Sequence, residues 1–269
     1  MSHNLLKGKK GIIFGALNEQ SLAWQTALKA HEEGAEIVLT NAPIALRMGE
    51  INKLAEAIDA PVIGADVTSM DDLNNLFDKA VEHFGGKIDF MLHSVGMSVN
   101  IRKGNPYTHL NHEFEMKTLD ISAVSFHKVL QVAYEKDALN EWASVVALTY
   151  IAAQRVFPDY NEMADAKSLL ESIARSFGYH YGIKNKVRVN TISQSPTRTT
   201  AGSGVKGFDG FINFSEAMSP LGNAPAEAFA DYCVTLFSDL TKYVTMQNLY
   251  HDGGYSATGV TQAVVDKMA

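Results

Sequence analysis

The stretch GIIFGALNEQSLAWQTALKAHEEG, Gly11–Gly34, sets the reading of the whole chain. GIIF is short and apolar and reads as a buried strand. Gly15 follows at once, ALNEQ reads as a loop, and Ser21 caps a helix that Gly34 closes. A strand, a glycine turn and a helix N-terminus aim backbone N–H groups and the helix dipole at one spot, which suits a phosphate. Of the pattern Gly-x-Gly-x-x-Gly only Gly15 is present, so these residues alone leave two readings: a dinucleotide turn or an ordinary strand-to-helix connection.

Outward from this unit the same alternation repeats. Strands are predicted at Glu36–Thr40, Pro61–Ala65, Ile88–His93, Ala143–Leu148, Val187–Ser193 and Gln247–Asp252. Helices are predicted between them: Ile51–Ile58, Asp71–Phe84, a long one from His112 to Tyr134, one through Leu169 to Phe177, and a final one at Glu227–Leu240. Seven strands alternating with helices require crossover connections. The expected fold is therefore α/β: a doubly wound, seven-stranded parallel sheet with helices on both faces, its ligand at the carboxyl ends of the strands. With no linker in sight, residues 1–269 read as one domain.

Composition narrows the function classes. The chain has 269 residues, 46% hydrophobic and 20% charged, and no apolar run approaches the roughly 20 residues a membrane helix needs. The opening MSHNLLKGKK lacks the apolar core of a secretion signal. The lone Cys233 excludes an internal disulfide and points to a reducing cytoplasm. A net charge of −7 argues against nucleic acid and anionic membrane as partners. Nine histidines lack metal-ligand spacing, and His31, His83, His109 and His112 read as surface or loop residues.

Chemistry concentrates in TYIAAQRVFPDYNEMADAK, Thr149–Lys167. Tyr150 stands where a strand leaves the sheet. Beyond Pro158, Tyr160, Met163, Ala164 and Lys167 recur at helical spacing, predicting a helix from Asp159 or Tyr160. That spacing sets Tyr160 and Lys167 two turns, about 10.5 Å, apart on one stripe. They read either as an acid and anchor pair or as an exposed stripe with a solvated lysine. Tyr179 and Lys186 repeat the spacing, but Gly182 is expected to break their helix. After the strand Glu36–Thr40 come Asn41, Ala42 and Pro43, with neither a carboxylate for ribose hydroxyls nor a cation for a 2′-phosphate nearer than Arg47. NADH and NADPH are not distinguished there. Asp66, before Val67, either accepts from an adenine amino group or caps the next helix. Gly96 permits close approach of a flat ligand or simply turns the chain. Ser195–Phe214, with Gly202, Gly204, Gly207 and Gly210, is a candidate lid; its Phe208, Phe211, Ile212 and Phe214 line an apolar slot or form a core-facing helix turn.

Taken together, several of these residues resemble a known family over nearly the whole chain. They are Gly15 with Ser21, Leu22 and Ala23; Asp66 and Val67; His93, Ser94, Val95 and Gly96; Tyr150 with Tyr160 and Lys167; Val187–Asn190; Pro196–Thr199; and His251–Gly254. The chain is similar to bacterial NADH-dependent enoyl-acyl-carrier-protein reductases, a divergent branch of the short-chain dehydrogenase/reductases with a Rossmann-like fold. The resemblance implies hydride transfer from NADH to Cβ of a trans-2-enoyl thioester in fatty acid synthesis. By the same resemblance, Tyr160 would stabilise the enolate, Lys167 would hold the nicotinamide ribose, and Tyr150 would lie by the carbonyl or in the proton path. Gly15, Ser21 and Leu22 would meet the pyrophosphate. Ala42, Asp66 and Val67 would face the adenosine, and Ser94, Val95 and Gly96 the ribose side. Thr197, Thr199, Thr200 and Ala201 would meet the nicotinamide amide and phosphates, and Ser98 the acyl chain. An acyl-carrier protein as partner and a homotetramer are also implied. Departures from the family pattern are Thr197 for isoleucine, Gln194 and Ser195 for Ala-Gly, Met97 for an aromatic residue, and Asp209 with Gly210 where cations are usual. Two other readings stand beside this one. The first is a 3-oxoacyl or ketone reductase, which the absence of any tyrosine with a lysine four residues on disfavours. The second is a non-catalytic nucleotide sensor.

Overall fold

In the computed structural model, which describes residues 2–47, 50–199 and 208–269, the Gly11–Gly34 unit folds as its residues require. Strand β1 (Lys10–Phe14) runs into Gly15, and helix α1 (Leu22–Glu32) follows, with the Ser21 side chain accepting from the Trp24 amide. The succeeding elements are β2 (Glu36–Thr40), α2 (Pro43–Leu46), α3 (Glu50–Ala57), α4 (Met70–Phe84), β3 (Ile88–His93), α5 (Val99–Lys103) and α6 (His112–Leu119). After them come α7 (Ser125–Glu135), β4 (Leu139–Thr149), α8 (Met163–Asn185), β5 (Arg188–Gln194), α9 (Phe208–Met218), α10 (Ala226–Phe237), β6 (Asn248–His251) and α11 (Gln262–Met268).

The sheet has six strands, all parallel, in the order β2-β1-β3-β4-β5-β6. The seventh expected strand, Pro61–Ala65, makes only a single bridge, Leu39 to Val62. It does run beside β2, exchanging bonds from the Leu39 amide to the Pro61 carbonyl (3.0 Å) and from the Ile63 amide to the Leu39 carbonyl (2.9 Å). Pro61 brings no amide of its own, Gly64 adds no side chain, and the segment lies at the edge, so a full ladder does not form. Because β1 has β2 on one side and β3 on the other, the winding reverses between β1 and β3, which is where such sheets open a ligand crevice. Gly15 sits at that opening with φ +92°, and a Cβ there would stand 2.1 Å from the Ser94 carbonyl oxygen. Only glycine fits.

Other expectations are also corrected. The helix beginning at His112 reaches Glu135, as its pattern implies, but through a π turn at Asp120–Val124. β4 is longer than Ala143–Leu148, and its pairing with β3 shifts register where Trp142 takes a left-handed φ of 64°. α8 passes straight through Gly182 and ends at Asn185, because Lys186 adopts the left-handed cap. Its Gly178 is needed instead for packing, since a Cβ there would lie 2.6 Å from Met246 Cγ. The helix at Ala226–Phe237 is not the last, as α11 follows it.

Apolar residues bury on both faces of the sheet. Phe77, Phe126 and Leu170 lie with one face; Trp24, Phe229 and Phe237 lie with the other, where Phe237 stacks on Phe90 at 4.5 Å. Truncating Phe237 removes a fully buried ring together with that stack. Phe237→Ala is expected to lower the unfolding free energy by about 3–5 kcal/mol in denaturant titrations.

Candidate active site

Above the carboxyl ends of the strands lies a cavity of about 730 Å³. Its first wall is the β1–α1 connection. Ser21 Oγ donates to the Asn18 carbonyl (2.8 Å) and accepts from the Leu17 and Trp24 amides (both 3.3 Å), so the loop is held by its own cap. Asn41, past β2, donates to the Ala16 carbonyl at 2.9 Å and closes the turn from the other side. Gly15, Ser21, Leu22 and Ala42 all line the cavity there. The first amides of α1 have no carbonyl within the helix to bond, which makes them donors for an anion.

Asp66 and Val67 line the adjoining stretch. Asp66 does not cap α4, since Ser69 does, accepting from the Asp72 amide. One Asp66 oxygen accepts from the Thr68 amide (2.9 Å) and hydroxyl (2.7 Å) in a local turn. The Lys128 ammonium bonds the Thr68 carbonyl (2.9 Å) and Asp120 (2.7 Å), fastening that turn to the π turn.

Ser94, Val95 and Gly96 form the central rim. The next residue is fixed by Ser122, inside the π turn, whose hydroxyl accepts from the Met97 amide (3.0 Å) and donates to its carbonyl (3.2 Å). A Cβ on Gly96 would lie 3.9 Å from Lys167 Nζ, so rim and lysine are in near contact. Below them His93 is buried, its Nε2 at 3.0 Å from Ser125 Oγ, and that hydroxyl already donates to the Ile121 carbonyl. Burial, helped by the Lys167 charge, pushes the His93 imidazole down to about 3. It is neutral and not a proton donor.

Lys167 and both tyrosines of the Thr149–Lys167 stretch face this same cavity. Lys167 is buried on α8 and donates to the Leu148 carbonyl at 2.7 Å. Burial lowers its ammonium from the ordinary 10.5 to about 8, opposed by the negative charge of Glu171 one turn on. Tyr160 is not on that helix, contrary to the spacing argument. α8 begins at Met163, and Tyr160 stands in a turn between two left-handed residues, Asp159 (φ 66°) and Asn161 (φ 46°). The Tyr150 ring packs against those of Phe157 and Tyr160, each at 5.2 Å. Burial raises both phenols well above their ordinary value, and for Tyr150 the Tyr160, Tyr255 and Asp252 groups add to it.

The turn holding Tyr160 is secured from across the cavity. Asn161 donates to the Asn105 carbonyl at 2.7 Å. Fully buried Glu162 gathers Ser98 Oγ (2.6 Å), Thr118 Oγ1 (2.9 Å) and Asn100 Nδ2 (3.3 Å) on one oxygen. Ser98, expected to meet an acyl chain, lines the cavity but commits its hydroxyl to Glu162 and to capping α5 through the Ile101 amide (3.0 Å). Glu162, Ser122 and Asn161 carry no sequence motif of their own, and nothing short of three-dimensional contact reveals them.

The last wall follows β5. Thr197 and Thr199 line it, whereas Thr200, Ala201 and the glycines of the expected lid up to Gly207 lie outside the described residues. Gln194 and Ser195 have a clear local purpose. Gln194 donates to the Ala224 carbonyl (3.0 Å) and pairs with His251 Nδ1 (2.6 Å), and Ser195 Oγ accepts from the Ala224 amide (3.0 Å). Asp209, where cations are usual in the family, is ion-paired with Arg198. Phe211 reaches the cavity from α9, with its ring 6.1 Å from that of Phe157, while Phe214 points outward toward Tyr255. Tyr179 and Lys186, the second pair with matching spacing, are on the surface, and Lys186 pairs with Glu141. Among the described residues no group of His, Cys, Asp or Glu could hold a metal ion, and no helix is long and apolar enough to cross a membrane.

Comparison with known proteins finds similar chains and a similar fold. A family model described as enoyl-(acyl carrier protein) reductase matches residues 15–256. The NADH-dependent enoyl-[acyl-carrier-protein] reductase 1 of Rhizobium meliloti is 34% identical over 258 residues, 95% of this chain and 93% of that protein. FabI of Rickettsia felis is 34% identical over 262 residues, 96% and 98% of the two chains. Among solved structures, the FabI–NADH complex from Alistipes finegoldii superposes with a TM-score of 0.96 at 65% identity, covering 97% of this chain and 92% of that one. The enoyl reductase of Aquifex aeolicus gives a TM-score of 0.88 at 29% identity, covering 96% and 100%.

The buried ammonium is open to direct measurement. Lysine-labelled NMR of the ligand-free protein should show Lys167 titrating near pH 8, and Glu171→Gln should move that titration lower by removing the charge that raises it. A titration near the ordinary lysine value would contradict the burial described above.

Proposed function

The chain belongs to the enoyl-acyl-carrier-protein reductase family, and from that premise we propose how its cavity performs the reaction. It is an NADH-dependent reductase of fatty acid biosynthesis that acts on an enoyl-acyl-carrier-protein. The residues present fit the dinucleotide: a turn at Gly15 that admits no side chain, free amides at the start of α1, and Gly96 within reach of Lys167. NADH, when bound, supplies the hydride that adds to Cβ of the thioester.

Addition at Cβ drives charge onto the thioester oxygen. Tyr160 meets that charge as a neutral donor, because its burial keeps the phenol protonated. Lys167 spends one of its three N–H donors on Leu148 and keeps two for the nicotinamide ribose hydroxyls, while its positive charge favours the anion. Tyr150, its ring packed at a tilt against that of Tyr160, supplies a second hydroxyl on the carbonyl side. The single observation carrying this assignment is that both tyrosines and Lys167, the one buried lysine among the described residues, line the same cavity. Gly15, Ser21 and Leu22 are assigned to the pyrophosphate; Ala42, Asp66 and Val67 to the adenosine; Ser94, Val95 and Gly96 to the ribose; and Thr197 and Thr199 to the nicotinamide end. Asn41, Ala42, Ile44 and Ala45 bring no cation to the cavity, which favours NADH over its 2′-phosphorylated form. The placement of Tyr160 before the helix, rather than one turn from the lysine on it, supports the enoyl over the ketone reaction. The whole chain is proposed to act as one domain, in the cytoplasm, as a homotetramer. Exposed Leu169, Tyr179 and Ile183 on α8 support subunit packing, and a solution mass at or below that of a dimer would contradict it.

Removing one donor to a developing oxyanion costs about 3–4 kcal/mol, so Tyr160→Phe should reduce kcat for crotonyl thioester reduction by roughly a hundredfold or more. Lys167→Ala should raise the KM for NADH as well. Near wild-type rates in both variants would reject the assignment, and faster turnover of a 3-oxoacyl thioester would favour the ketone reading. Since Lys167 is an ammonium below about 8, NADH affinity of the wild type should weaken as pH rises through that value and the pH dependence should vanish in Lys167→Met.

A further inference from the structure

In a chain of net charge −7, the cavity lining carries, among the described residues, three cations, Arg102, Lys117 and Lys167, against one carboxylate, Asp66. Lys167 is buried and accounted for. Arg102 and Lys117 are exposed at the cavity wall, and no ion pair or side-chain hydrogen bond among the described residues engages either one. Most other cations reaching a neighbour are spent on carboxylates, as Lys29, Lys87, Lys136 and Arg198 are. Two unspent cations beside a ligand cavity form an anion site when the same framework holds both.

That framework is the Glu162 cluster. Arg102 lies on α5, whose first turn is pinned by Ser98 and Asn100; Lys117 lies on α6, next to Thr118. Ser98, Asn100 and Thr118 all converge on Glu162 Oε1, two residues from Tyr160. The two cations therefore stand on the wall fastened to the tyrosine-bearing turn. The pyrophosphate of the dinucleotide has its own donors in the Gly15 turn and the first amides of α1. The anion left to be matched is on the substrate. An acyl-carrier thioester is presented on a pantetheine arm that ends in a phosphate, and a guanidinium with an ammonium suits a phosphate.

We propose that Arg102 and Lys117 form a subsite for the phosphate of the pantetheine arm carrying the enoyl thioester. This deepens the enoyl-reductase reading and rests on it. The subsite would distinguish a carrier-linked substrate from a free thioester by charge, independently of acyl chain length.

The test compares crotonyl-4′-phosphopantetheine with crotonyl-pantetheine, which differ only in the phosphate. Wild-type enzyme should favour the phosphorylated thioester by about tenfold or more in kcat/KM, as charge-assisted contacts to one phosphate imply. In the Arg102→Ala/Lys117→Ala double variant that ratio should fall toward one, with the change carried by KM of the phosphorylated thioester. Free 4′-phosphopantetheine should compete with substrate in the wild type and lose that inhibition in the variant. A wild-type ratio near one, a ratio unchanged in the variant, or a loss confined to NADH affinity would each overturn the proposal; the last would assign the cations to the dinucleotide. Failure of the wild type to reduce either thioester would instead overturn the enoyl-reductase reading itself.

Discussion

A single hydrogen bond, from the Lys167 ammonium to the carbonyl of Leu148, joins α8 to the carboxyl end of β4. Taking an ammonium out of water is costly unless its donors are met, and this one is met first by a backbone carbonyl near the carboxyl end of β4. The fold thus supplies the anchor, and the anchor holds the charge where a ligand can use it. Glu171 sits one turn further along the same helix, itself bonded by Thr149 and Asn248, and tempers the loss of charge without touching the ammonium. His93 below stays neutral, so the cavity floor carries one positive charge and not two.

Tyr160 needs a different solution because it is not part of α8. A turn with two non-glycine left-handed residues is poor at holding itself, and the N-terminus of α8 has no side-chain cap to help. Stability of the turn comes from across the cavity, through Asn161 to Asn105 and through Glu162 to Ser98, Asn100 and Thr118. A buried carboxylate that collects three donors is worth far more intact than half-made, since removing it would leave the buried Ser98 hydroxyl without its acceptor. The phenol is therefore positioned by both walls of the cleft at once. That arrangement makes the shape of the acyl end depend on α5 and α6 as much as on α8.

The periodic parts of the fold were legible in the chain. Strand–glycine–helix at Gly11–Gly34 and the apolar runs after it lead directly to a parallel α/β sheet, because their spacing leaves no other way to bury both faces. What misled was local chemistry in tension with pattern. Pro61 and Gly64 weaken a segment that looks like a strand, and Gly182 looks like a helix end although Lys186 is the one. At the site, every proposed contact residue that the structure describes lines one cavity, but Tyr160 and Lys167 reach it from a turn and a helix, not from the one helical stripe that their spacing suggested. Glu162, Ser122 and Asn161 stayed hidden because their value lies in long-range hydrogen bonds, which no spacing encodes.

The π turn at Asp120–Val124 sets how tolerant the gene is to changes in length. One surplus residue is wound into that helix within the turn, so a codon lost there would let it relax to regular α geometry with both halves keeping their facing. A codon lost outside the turn would instead rotate one half against the other by about 100°, taking Thr118 off Glu162 or Ser125 from under His93. Substitutions in this helix can drift one by one, but outside the turn its length is locked by the two ends facing different partners.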